Sequence, residues 1–177
     1  EEEVKKILFL HPPSPFLADE RAIAPLGILQ IAACMEQKNW EVDVLDLAGN
    51  PKYVDSTIDQ LSKNNYDAIG VTTTTQQTYK IPPLLDAIKK HGKYHLVAGG
   101  PGPTTDPAIY VKLGFDKVVR NEGEYAWEAW EPGGLSCAIR QTARRNALRF
   151  QRPPPVAAPW DCSGIRRVHA VGVSVLL

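Results

Sequence analysis

Residues 4–10 close on the unbroken apolar run Ile7-Leu8-Phe9-Leu10, and a strand that is apolar on both sides has to be covered on both faces. The chain then repeats a strand–helix alternation. Residues 24–38 carry Ile28, Leu29, Ile31, Ala32 and Met35 on one helical stripe, with Pro25 near the first turn. Residues 41–47 alternate through Val42, Val44 and Leu47 as a second strand. Asn50-Pro51 opens a helical stretch marked by Val54, Ile58 and Leu61. Residues 67–71 form a short third strand, and Ile81, Leu84, Leu85 and Ile88 mark a third helix that Gly92 stops. Residues 94–98 read as a fourth strand, 106–114 as a short helix opened by Asp106-Pro107, 116–119 as a fifth strand, and 124–130 as the start of a fifth helix.

Such alternation implies a parallel sheet with helices on both faces. The expected fold is α/β: a flavodoxin-like, doubly wound, five-stranded parallel sheet in order 2-1-3-4-5, followed by an irregular C-terminal tail. Ligands of such sheets bind outside the carboxyl ends of the strands, near the switch between the first and the third.

Each carboxyl end carries a distinctive segment. The first strand runs into His11-Pro12-Pro13-Ser14-Pro15-Phe16, and about a dozen residues pass before the next helix, where roughly 2–6 are usual. That length points to a binding loop. The third strand runs into Thr72-Thr73-Thr74-Thr75-Gln76-Gln77-Thr78, a row of hydroxyls and amides suited to neutral amides or a phosphodiester. The fourth ends in Gly99-Gly100-Pro101-Gly102-Pro103, where paired glycines permit a sharp turn and close approach of a ligand to the backbone. The fifth ends in Arg120-Asn121-Glu122-Gly123-Glu124. A phosphoacceptor receiver would need acids after the first strand and an Asp after the third, and a flavodoxin would need a hydroxyl-rich loop after the first. Neither pattern is present.

Charge is balanced, with 20 basic and 20 acidic side chains, which removes a global electrostatic case for nucleic acid or an anionic membrane. No apolar run approaches the roughly 18 residues of a membrane span. The acidic start Glu1-Glu2-Glu3 is the opposite of a cationic signal peptide. Cys34, Cys137 and Cys162 form no C-x-x-C pair, so the expected setting is reducing and cytoplasmic. The balance hides a break at Glu131. Residues 1–131 hold 13 basic and 19 acidic side chains, with 11 Lys and 2 Arg; residues 132–177 hold 7 Arg, no Lys and 1 acid. The expected division is a binding domain over 1–131 and an Arg/Pro-rich tail over 132–177, poorly packed on the body and appended or out of frame. The alternative is an Arg-rich arm for nucleic acid or acidic lipid.

Taken in order, these elements resemble the cobalamin (B12)-binding domain that precedes the catalytic barrel in cobalamin-dependent radical S-adenosylmethionine enzymes. The resemblance spans roughly residues 4–130. It rests on the strand leading into His11-Pro12-Pro13, on Ala24-Pro25-Leu26-Gly27-Ile28-Leu29-Gln30-Ile31-Ala32-Ala33, on the Asp46 strand end and on the threonines after Ile69-Gly70-Val71. Gly99-Gly100-Pro101 and the segment from Asp116 to Glu124 complete it. Three departures stand beside it. No Asp-x-His-x-x-Gly occurs, since His169-Ala170-Val171-Gly172 has Arg167 in the place of the Asp; the position after Gly99-Gly100-Pro101, often His in relatives, is Gly102; and no Cys-x-x-x-Cys-x-x-Cys is present.

The resemblance implies a cobalamin-binding module without the iron–sulfur and S-adenosylmethionine site of a full-length relative, working with a radical catalytic domain in cis or in trans and not with nucleic acid or membrane. It implies that Pro12 and Pro13 open a loop covering the lower face of cobalt and that Thr72, Thr73, Thr74 and Thr75 offer hydrogen bonds. It further implies that Gly99, Gly100 and Pro101 leave room for the nucleotide tail, where a side chain at either glycine would intrude. Glu122 and Gly123 are expected to shape the rim or simply to start the next helix. The cofactor is expected base-off with no protein histidine on the metal, and His11 is read as a structural residue. Two other classes stay open: a nucleotide-sugar-binding half of a glycosyltransferase, and a non-catalytic interaction domain.

Overall fold

The computed structural model describes residues 4–14, 24–125 and 174–176. Five strands alternate with helices as the pattern demands: β1 (Lys6–His11), α1 (Leu26–Glu36), β2 (Glu41–Asp46), α2 (Tyr53–Lys63), β3 (Ala68–Thr72), α3 (Ile81–His91), β4 (His95–Gly99), α4 (Pro101–Thr105), α5 (Pro107–Leu113) and β5 (Lys117–Val118). All pair in parallel, in the order 2-1-3-4-5. A short β6 (Ser174–Leu176) adds a sixth parallel strand beside β2, so three residues of the tail read as irregular supply partners to an otherwise unpaired edge. The expected fifth helix lies outside the described residues beyond a 3-10 turn at Gly123–Tyr125. Among the described residues no helix is long and apolar enough to cross a membrane.

Period-2 alternation divides the apolar run of β1 between two cores. Leu8 and Leu10 join Ile69, Val71, Leu84, Leu85, Ile88 and Tyr110 on the face covered by α2, α3 and α5. Ile7 and Phe9 join Val42, Val44, Val97 and Val119 on the opposite face, under Ile28, Ala32 and Met35 of α1. On that second face β3 and β4 end in small residues. Gly70 sits opposite Val97 in register and beside Phe9 of β1, while Thr72 faces Gly99. With little side-chain volume there, the sheet leaves a hollow below its carboxyl edge.

The opposite edge is closed by a polar brace. Tyr66 donates to Asp43 Oδ2 at 2.6 Å and accepts from Gln60 Nε2 at 2.7 Å, and Lys6 Nζ reaches Asp43 at 3.3 Å and Glu41 at 2.6 Å. Burial, reinforced by the bond to Asp43, holds the Tyr66 phenol protonated well above its ordinary pKa of 10.0. Tyr66→Phe leaves the buried Asp43 carboxylate short of a donor, and the expected loss is about 1–3 kcal/mol in urea unfolding. The unfolded phenol ionises near 10.0 and the folded one later, so the Tyr66 contribution is complete below that pH and is lost above it. The stability gap between wild type and Tyr66→Phe is therefore expected to shrink as pH rises beyond 10.0.

Candidate functional site

The hollow is a partly open cleft of ≈ 240 Å³ at the carboxyl ends of β1, β3, β4 and β5. Its deep wall is apolar: Phe9, Ile28 and Val119 are 1%, 3% and 2% exposed, and Ile31 packs beside them. Its mouth is polar. Asn121, Glu122, Gly123 and Glu124 follow β5 and come to rest against α1, with Asn121 in the left-handed region at φ 62. A Cβ on Gly123 would lie 2.7 Å from Ile31 Cδ1, the flexible end of that side chain, which shows how closely the loop lies on α1. Glu124 comes near enough to α1 to add to the effect of burial in raising the Cys34 thiol pKa.

Of the residues expected to bind, Thr72, Gly99, Gly100, Pro101, Glu122 and Gly123 line this cleft together. Pro12, Pro13, Thr73, Thr74 and Thr75 are not among its walls. Pro12 and Pro13 are buried, and the Pro12 carbonyl accepts from Gln77 Nε2 at 2.6 Å; the loop residues 15–23 lie outside the described residues. The Thr73 hydroxyl, 1% exposed, pairs with the Tyr110 hydroxyl at 2.6 Å, and Thr78 shares that partner at 2.9 Å. Thr74 N–H and hydroxyl both donate to Gln77 Oε1, opening a 3-10 helix over Thr75–Lys80. Most of the threonine run thus builds the edge, and Thr72 is its member in the cleft.

The two glycines also divide their work. At Gly99 an added Cβ meets nothing nearer than Val119 Cβ at 4.0 Å. At Gly100 it would meet Thr72 Oγ1 at 2.8 Å and the Thr73 carbonyl at 2.9 Å, on a backbone with φ +99. The expectation that a side chain at 100 would enter open ligand space is corrected: Gly100 allows the turn and the close backbone approach, and Gly99 faces the cleft. Gly27 stands outside the residues expected to bind. It lines the cleft from the first turn of α1, and a Cβ there has nothing within 4 Å. A glycine inside a helix, where alanine is more favourable, was the available signal.

His11 and Asp46 are register partners at the ends of β1 and β2, and His11 Nδ1 lies 2.9 Å from Asp46 Oδ1. Asp46 Oδ1 also accepts the Ala48 N–H at 3.1 Å. By alternation both side chains stand on the α1 face, one step beyond Phe9 and Val44.

A flat apolar group inserted beneath α1, with a polar periphery at the mouth, is what such a cleft can take. A family model for the B12 binding domain matches residues 20–131. The chain belongs to the B12-binding domain family. A search of the curated proteins finds no match. Family membership implies cobalamin as the ligand, and the cleft of this B12-binding domain fits part of it: open space above Gly27 and Gly99 and an apolar wall that no side chain of the described residues fills.

Gly27→Leu is expected to change stability by no more than about 1 kcal/mol, since the helix gains a better former and its Cβ has nothing within 4 Å. Cobalamin affinity is expected to fall about tenfold or more, read by equilibrium dialysis. Gly100→Ala should do the reverse, costing about 1–3 kcal/mol of stability from the strained φ and the contact with Thr73. Chemical unfolding of the two variants side by side checks the contrast.

Proposed function

We propose that this domain is a cobalamin-holding module that binds the cofactor base-off, without a protein histidine on cobalt, for a radical S-adenosylmethionine catalytic domain of methyltransferase type acting in cis or in trans. The observation that carries the binding part is the coincidence of the family match with a cleft at the switch between β1 and β3. When bound, cobalamin supplies a cobalt centre able to carry a methyl group or assist radical chemistry. The protein's own residues do the holding. Phe9, Ile28, Ile31 and Val119 exclude water from the inserted tail, Gly27 and Gly99 leave it space, and Thr72 and the Asn121–Glu124 segment meet polar groups at the mouth. Two carboxylates and no cation among the described lining residues disfavour a diphosphate, which weighs against a sugar nucleotide.

The radical-enzyme assignment is supported by the order of strand-end segments and by the absence of Asp-x-His-x-x-Gly from the chain. The match ends at Glu131, the residue where lysine gives way to arginine, and this supports residues 132–177 as appended or out of frame. Reading the coding DNA beyond Glu131 in all frames tests it: a Cys-x-x-x-Cys-x-x-Cys in another frame is expected, and none in any frame overturns both the out-of-frame reading and a catalytic partner in cis.

His11 admits a second reading. A carboxylate–imidazole pair such as Asp46–His11 anchors a strand end, and proteins also use such pairs to orient a metal-binding histidine. Cobalamin bound to His11→Ala is expected to show the same absorption and electron spin resonance spectra as on wild type. A change matching loss of a nitrogen ligand would assign His11 to the metal and overturn the base-off, histidine-free proposal. Gly99→Val, whose side chain projects past Val119 into the cleft, is expected to weaken binding about tenfold or more while the fold is retained.

A further inference from the structure

We propose that the cleft selects corrinoids by their lower base, favouring an apolar benzimidazole over a purine. This rests on the cobalamin-binding reading above and assigns to the cleft the base end of the nucleotide tail. The argument is one of depth. Among the least exposed lining residues are Phe9 (1%), Val71 (1%), Val119 (2%) and Ile28 (3%), and none of their side chains carries a hydrogen-bonding group. The polar residues of the cleft lie further out: Thr72 and Glu124 are half-buried, and Asn121 and Glu122 are exposed. A group that packs against these side chains meets no side-chain hydrogen-bonding partner there.

The benzo edge of a benzimidazole has only C–H and methyl groups to place there, with its free ring nitrogen on the imidazole side away from that edge. Its burial against Phe9, Ile28 and Val119 removes apolar surface from water without stranding a polar atom. A purine presents ring nitrogens and, in adenine, an exocyclic amine. Buried against the same wall, these would lose water partners and find none in return, and that loss is the kind that discriminates strongly between ligands of similar shape. The carboxylates of Glu122 and Glu124 cannot rescue the amine at depth, because they stand at the mouth, where sugar hydroxyls and corrin amides are the donors available to them. The expected preference is roughly ten- to a hundredfold, the size of one or two unpaired buried polar groups.

The test titrates the full chain with three corrinoids: cobalamin, its analogue with adenine as lower base, and cobinamide, which lacks the nucleotide altogether. Intrinsic tryptophan quenching or equilibrium dialysis reports binding, independent of any catalytic partner. Cobalamin is expected to bind at least tenfold tighter than the adenine form, and cobinamide more weakly than cobalamin. Equal affinity for the two complete corrinoids, or preference for adenine, would overturn the selectivity while leaving the cobalamin-binding reading intact. Cobinamide binding as tightly as cobalamin would overturn it too, by showing that the base end does not occupy the cleft. Binding of none of the three would remove the underlying reading itself. A second arm uses Val119→Thr, which keeps the side-chain shape and puts a hydroxyl on the deep wall. The preference is expected to narrow in this variant, with folding checked by thermal denaturation. An unchanged ratio in a folded variant would count against the deep wall as the selecting surface.

Discussion

The structure of the carboxyl edge depends on how closely the chain after β3 lies against the chain after β4. Thr73 N–H donates to the Gly99 carbonyl at 3.0 Å, and the Gly102 N–H donates back to the Thr73 carbonyl at 2.8 Å. Nothing larger than glycine fits between them. A Cβ at Gly100 or at Gly102 would run into Thr72, Thr73 or Thr74, and at Gly102 also into the Tyr110 hydroxyl. This exchange fixes the start of α4 and carries Thr104 into place, whose hydroxyl accepts the Asn121 N–H at 2.8 Å. The β5 loop that forms the mouth of the cleft is thus hung, through Thr104, on a glycine contact two strands away. Gly102, which follows Gly99-Gly100-Pro101, stands in a position with no room for a side chain.

The fold was legible because a parallel sheet leaves its strands no polar face. Ile7 to Leu10 and their counterparts could be read directly, and the helical stripes of α1, α2 and α3 supplied the crossovers. The edge was less legible, since a threonine hydroxyl looks the same whether it binds a ligand or a tyrosine. Thr73 became a partner of Tyr110, a residue 37 positions away that no local pattern connects to it. Two missed elements did carry local signals. Thr74-x-x-Gln77 is a helix-opening pattern, and it opens the 3-10 helix at Thr75; Pro101 is a proline at the first position of a short helix, α4. Gly27 was read with its helix and not with the sheet edge above which it stands. The cleft wall was only half visible from sequence, because Phe9, Ile28 and Val119 are as apolar as any core residue and differ only in facing a gap.

Residue chemistry also separates two parts of the chain in a way that geometry alone does not. The family match ends at Glu131, and the same residue marks the change from a lysine-bearing acidic body to an arginine-bearing basic segment. Every described cleft residue precedes that point. Among the described residues the two apolar clusters are likewise completed by Val118 and Val119. What β6 adds is backbone pairing along β2, on the side of the sheet remote from β4 and β5.

The division between wall and mouth sets how the domain can bind without a charged anchor. Wall residues on β1, on α1 and just after β5 are packed into the sheet–helix interface, so little side-chain freedom remains for binding to remove. The mouth is built differently. Asn121 sits in the left-handed region, Glu122 is exposed, and the segment is held by the Asn121–Thr104 bond and the fit of Gly123 against Ile31. Such a loop can adjust to the irregular polar periphery of a large ligand while the wall stays fixed. In the proposed binding mode, affinity comes chiefly from an apolar insertion into the cleft, and the acids at the mouth act on orientation, accepting from neutral donors that have no charge of their own to be steered.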